Sequence, residues 1–113
     1  MQVEFTALRY ITGIATQCGG WSDVFECVAS YYIYVKSSSD GNFVPVCLAS
    51  DCPGLFPGNA DTLESSRHVV VHNDFESAVQ ALIVKLEIRS KISWFSLRWE
   101  VYGCAALDAY RSS

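Results

Sequence analysis

Cys47, Cys52, His68 and His72 fall at the spacing C-x4-C-x15-H-x3-H, close to the pattern by which two thiolates and two imidazoles hold a zinc ion. That pattern needs both histidines on one turn of helix. Here they bracket Val69–Val71, a β-branched run that favours strand. Residues four apart on a strand stand about 13 Å from each other, too far for one tetrahedral ion. A zinc-binding structural module is therefore the first alternative reading of these letters rather than the leading one.

Cys52 offers a second chemistry, thiol nucleophilic attack in a small enzyme. A reactive thiolate is stabilised by a cation or a helix N-terminus. Cys52 instead follows Asp51 and precedes Pro53, so the neighbouring charge opposes ionisation. The twelve carboxylates are scattered without a paired acid–base cluster, and no glycine-rich phosphate loop occurs. The residues thus predict no enzyme, no catalytic residue, no bound metal and no cofactor.

The stretch "DCPGLFPGNADTLESS" (51–66) carries a different kind of signal. It has no hydrophobic period, and connections beyond about 12 residues are usually functional or mobile. Leu55 and Phe56 sit between proline–glycine turns and are flanked by Asp51, Asp61 and Glu64. An apolar anchor inside an acidic rim suits a protein partner, so these five residues are the expected partner-binding site. Otherwise the loop folds back and packs on the core.

Around that loop the elements read as follows. "DFESAVQALIVKLEI" (74–88) places Phe75, Ala78, Val79, Leu82, Ile83 and Leu86 at helical spacing. Asn73 and Glu76 stand at capping-box distance, so a helix is expected there. "ISWFSLRWEVYG" (92–103), "RHVVVH" (67–72), "SYYIYVK" (30–36) and "NFVPVCLAS" (42–49) read as strands. Pro45 removes one ladder donor, which places its strand at a sheet edge or a bulge. Val3, Phe5 and Ala7 alternate as another strand, and residues 19–30 fit either a short helix or a strand continuation. The expected fold class is α+β: a two-layer, mostly antiparallel sheet of four to five strands with one main helix (about 74–88) on one face, all within a single domain of residues 1–113.

Residues 31–88, with "YYIYVK", "DGNFVPVCLASDCPGLFPGNADTLES" and the later "FESAVQAL", resemble the HicB-type antitoxins. That resemblance implies a small three-strand, helix, strand domain. It covers about half the chain and departs from the family where "NADTLES" runs into "RHVVVH" instead of a helix.

Composition sets the class of partner. Half of the 113 residues are apolar and 18% are charged, with a net charge of −4, so a packed globule is expected and disorder is excluded. Residues 1–66 hold seven acids against Arg9 and Lys36. Direct nucleic-acid binding needs clustered bases and is not expected. No apolar run reaches membrane-spanning length and no leader is apparent. Five cysteines without such a leader suggest reduced thiols and a cytoplasmic location. Together these features predict a small acidic, non-enzymatic intracellular protein. It would bind and occlude a larger protein's functional surface, in the manner of antitoxins, immunity proteins or phage anti-defence (anti-CRISPR) inhibitors. Its partner would be another protein, of the kind that presents a basic surface to nucleic acid, and a homodimer is compatible with the sequence.

Overall fold

β-Branched and aromatic residues recur along the strands of the chain. The computed structural model describes residues 1–19, 27–59, 69–92 and 97–105. Six strands occupy them: β1 (Gln2–Cys18), β2 (Cys27–Lys36), β3 (Val44–Pro45), β4 (Phe56–Pro57), β5 (Val71–Ile92) and β6 (Leu97–Ala105). All pair antiparallel, in the order β3-β2-β5-β1-β6, with β4 also on β2. No helix occurs among the described residues.

The α+β expectation is therefore corrected to an all-β sandwich. The segment 74–88, expected as a helix, is the middle of the 22-residue strand β5. Its second half alternates: Val84, Leu86 and Ile88 face inward, while Lys85, Glu87 and Arg89 face outward. Its first half breaks phase. Gly13 pairs with Asp74 but Ile11 pairs with Val79, so β5 carries three extra residues there against β1. An odd slip in a two-residue period produces the 3–4 spacing that imitates a helix. Pairing with β1 on one side and β2 on the other then outweighs helix propensity, which is worth only tenths of a kcal/mol per residue.

The two longest strands belong to both layers. β1 pairs through Gln2–Glu4 with Ile83–Lys85, then through Gly13–Thr16 with Val71–Asp74, and the register breaks between them. At those breaks the sheet folds on itself. Phe75, in the first half of β5, packs on Phe56 with ring centroids 5.6 Å apart. Phe56 in turn stacks on Tyr31 at 5.8 Å, and Tyr31 pairs with Ile88 in the second half of β5. Ile11, Ile14, Val28, Ile33, Val35, Val46, Val84 and Leu86 complete the core between the layers. Pro45 does lie on the edge strand, β3.

Polar pegs fix the connections. Asn73 Nδ2 donates to the Tyr31 hydroxyl at 2.9 Å and to the Pro57 carbonyl at 2.7 Å, tying β5 to β2 and β4. Thr16 Oγ1 donates to Asn59 Oδ1, and Asn59 Nδ2 donates to the Val69 carbonyl, both at 2.9 Å. Thr16 and Asn59 are buried, so each satisfies what the other would leave exposed to an apolar interior. Two disulfides add covalent closure: Cys18–Cys27 joins the end of β1 to the start of β2, and Cys47–Cys52 closes the turn after β3.

Candidate functional site

Of the five expected partner-binding residues the structure describes Asp51, Leu55 and Phe56. Asp51 and Leu55 are exposed, Leu55 at 45%. Phe56 is 1% exposed and belongs to the core, because β4 lies along β2 and its side chain meets Tyr31 and Phe75. Backbone bonds from Gly54 to Val46, Gly58 to Ala29 and Asn59 to Val28 hold the described part of the loop against its neighbours. Asp61 and Glu64 lie outside the described residues, as do His68 and Trp94.

The zinc and thiol readings are corrected. Cys47 and Cys52 are bonded to each other, so neither is available as a ligand or nucleophile. His72 points from the outer face of β5 toward Asp74, with Nε2 2.8 Å from Oδ1. Among the described residues no group of three or more His, Cys, Asp or Glu side chains could hold a metal ion.

A different site emerges on the outer face of β5, β1 and β6. Antiparallel partners share a face, so the registers place three rows there. Asp74, Gly13 and Tyr102 form one row, and His72, Ala15 and Glu100 the next. Gln17 and Arg98 follow, with Val70 beside them. The central strand contributes the smallest side chains, Gly13 and Ala15. The flanking strands contribute the large ones. A trough of about 480 Å³ results, floored by Ala15 and Gln17 and walled by Val70 on one side and Arg98, Glu100 and Tyr102 on the other. Ala15 is only 3% exposed although it lies on the outer face, because taller neighbours overhang it.

One end of the trough is closed by an aromatic bridge. The His72 and Tyr102 rings stack across β1 with centroids 4.6 Å apart. Gly13 makes room for this: a Cβ there would stand 2.8 Å from the Asn73 carbonyl oxygen and 3.0 Å from His72 Nε2. Tyr102 Oη donates to Glu100 Oε2 at 3.1 Å, and that bond together with the carboxylate charge raises the phenol pKa above its usual value. The chain Asp74–His72–Tyr102–Glu100 thus runs unbroken across three strands. Arg98 lines the trough and meets no carboxylate at ion-pair distance among the described residues. The period-two alternation of "LRWEV" (97–101) sets Arg98 and Glu100 on one face of their strand but has no means of pairing them with His72. Small residues on one strand facing large polar ones on two others is a signal visible only once the strand order is known.

This architecture has counterparts among known proteins. No family model matches the chain. It is 32% identical over 111 residues to neuropilin-1 of Gallus gallus, covering 96% of this chain and 11% of that protein. It is 26% identical over 113 residues to human coagulation factor VIII, covering 97% of this chain and 4% of that protein. The chain therefore spans about a tenth or less of the length of these curated relatives. Wild-type discoidin II from Dictyostelium discoideum superposes with a TM-score of 0.72 at 22% identity, over 90% of this chain and 35% of that one. The fold is discoidin-like.

These findings overturn the intracellular occluding inhibitor and its antitoxin, immunity and anti-defence forms. Neither the fold nor the relatives are of that kind. Two disulfides also point away from the cytoplasm, where thiols are kept reduced. The likeness of residues 31–88 to HicB-type antitoxins fails with the helix it required.

Proposed function

We propose that the chain is a non-catalytic, extracellular ligand-binding module whose trough takes a saccharide of one or two residues. The observation that carries this reading is the trough itself: about 480 Å³, within the usual range for small-ligand sites, and lined by groups matched to a polyhydroxylated ring. The Tyr102 ring, 37% exposed, has one face stacked on His72, which leaves its other face and its edge for the C–H side of a sugar. The Arg98 guanidinium and Glu100 carboxylate supply charge-assisted donors and acceptors for hydroxyl pairs. Val70 gives the apolar opposite wall. The discoidin-like fold and the two disulfides support a binding role outside the cell, and the relatives support a ligand or protein as the partner in place of a substrate.

A glycan array followed by calorimetry with the best-binding mono- or disaccharide tests the reading. Tyr102→Ala and Arg98→Ala should each weaken that saccharide by about 1–3 kcal/mol, the usual effect of losing a central aromatic or Arg contact, while the folded spectrum stays unchanged. Saccharide binding that ignores both substitutions would remove the trough from the account.

A further inference from the structure

At the opposite end of the sheet from the trough, two lysines share one aromatic ring. Lys36 Nζ lies 4.7 Å from the Phe43 ring centre and Lys85 Nζ lies 4.5 Å from it. Lys85 Nζ is also 5.0 Å from the Tyr34 ring centre, so its ammonium stands between two rings. Tyr34 and Lys85 are directly opposed on β2 and β5, and Lys36 is paired with Ile83. Lys36 and Lys85 are therefore diagonal neighbours on the outer face, with stems roughly 7 Å apart. All four side chains are half-buried.

Neither ammonium has a carboxylate within ion-pair distance among the described residues. Glu87, two positions along from Lys85 and opposite Tyr32, and Glu4, opposite Ile83 on β1, border the cluster without pairing to it. Aromatic faces attract a cation but leave its charge unneutralised. The rings therefore hold two half-buried cations, each within 4.7 Å of the Phe43 ring centre, in a chain whose overall charge is −4. Lys36 is moreover one of only two bases in residues 1–66, so its placement beside Lys85 concentrates positive charge where the sequence has least of it.

We propose that Lys36 and Lys85, pre-positioned by Phe43 and Tyr34, form a second binding site that takes a tetrahedral oxyanion, a sulfate or phosphate group. One such group accepts hydrogen bonds from both ammoniums at about 2.8 Å, and preorganised side chains lower the ordering cost of the contact. This site is separate from the trough and stands independently of what the trough binds.

Sodium sulfate and sodium phosphate, each titrated against sodium chloride at constant ionic strength and followed by amide chemical shifts, test the site. The expected result is saturable shifts confined to Tyr34, Lys36, Phe43 and Lys85, with the apparent Kd raised about tenfold or more, a loss of at least about 1.4 kcal/mol, in the double variant Lys36→Gln/Lys85→Gln. Tyr102→Ala should leave those shifts intact. Comparing the two salts distinguishes a sulfate from a phosphate preference. Shifts that rise linearly, spread over the whole surface, or persist unchanged in the double variant would overturn the assignment. Both lysines are on the outer face, so the remainder of the amide spectrum reports that the variant is folded.

Discussion

Gly13 and Ala15 set the trough and Tyr31 a buried contact of the core, and each can be altered alone. Ala15→Val adds bulk to the floor on a strand that welcomes a β-branched residue. It should weaken saccharide binding by about tenfold or more while costing about 1–3 kcal/mol of stability, the usual range for bulk added at a buried position. Calorimetry and thermal unfolding on the same sample check both halves of that expectation. Gly13→Ala acts differently, since its Cβ would meet the Asn73 carbonyl and His72. The His72–Tyr102 stack must open or the β1–β5 pair must shift, at a cost of about 1–3 kcal/mol. Tyr31 governs the alkaline limb. Burial raises its phenol pKa, partly offset by the bond from Asn73. The folded state therefore holds the proton more tightly than the unfolded chain, so this contribution is fully present below pH 10 and is lost as pH rises through the raised folded value. Thermal midpoints measured from pH 9 to 11 should fall more steeply for the native chain than for Tyr31→Phe. Of these residues the sequence displayed only types. Tyr31 read as part of a strand, but Gly13 and Ala15 gained their meaning from what β5 and β6 place beside them.

Elements explain both what was legible and what was not. β2 from Tyr31 onward and β6 around Arg98–Glu100 alternate, so Tyr31, Ile33 and Val35 inward, and Arg98 and Glu100 outward, follow from a period of two. β5 does not, because the slip between Asp74 and Val79 is a property of its pairing with β1 and has no local signature apart from one that imitates a helix. Its second half did alternate, as "VKLEIR", and the helical stripe drawn across Phe75 to Leu86 concealed it. The cysteines were misjudged for a similar reason. Spacings of nine and five residues say nothing of pairing until the strand ends are brought together. The two bridges should behave differently. Cys47 and Cys52 are exposed, whereas Cys18 and Cys27 are buried. Graded dithiothreitol with mass-spectrometric thiol labelling should open Cys47–Cys52 first, access being one determinant of exchange rate. Removing Cys18–Cys27 by a double alanine substitution should cost about 2–4 kcal/mol. Equal labelling of both bridges at every reductant concentration would contradict this order.

At the scale of the whole molecule, a sheet folded on itself leaves two outer faces for binding. One carries the small-floored trough between β5 and β6, and the other carries the lysine–aromatic cluster between β2 and β5. The core residues Tyr31, Phe56 and Phe75 lie between them, so Phe56, expected as part of a partner-binding loop, supplies one of the interior pins. Acidic net charge remains, and it bears on solubility and on which ligands are attracted or repelled more than on fold. The most direct measurement of the central claim is amide chemical-shift mapping of the isotope-labelled chain with the saccharide that scores best on an array. Saturable perturbations should cluster at Ala15, Gln17, Arg98, Glu100 and Tyr102 and vanish in Tyr102→Ala. Perturbations confined to the turn around Cys47–Cys52 and Leu55, or no saccharide response from any part of the chain, would contradict it.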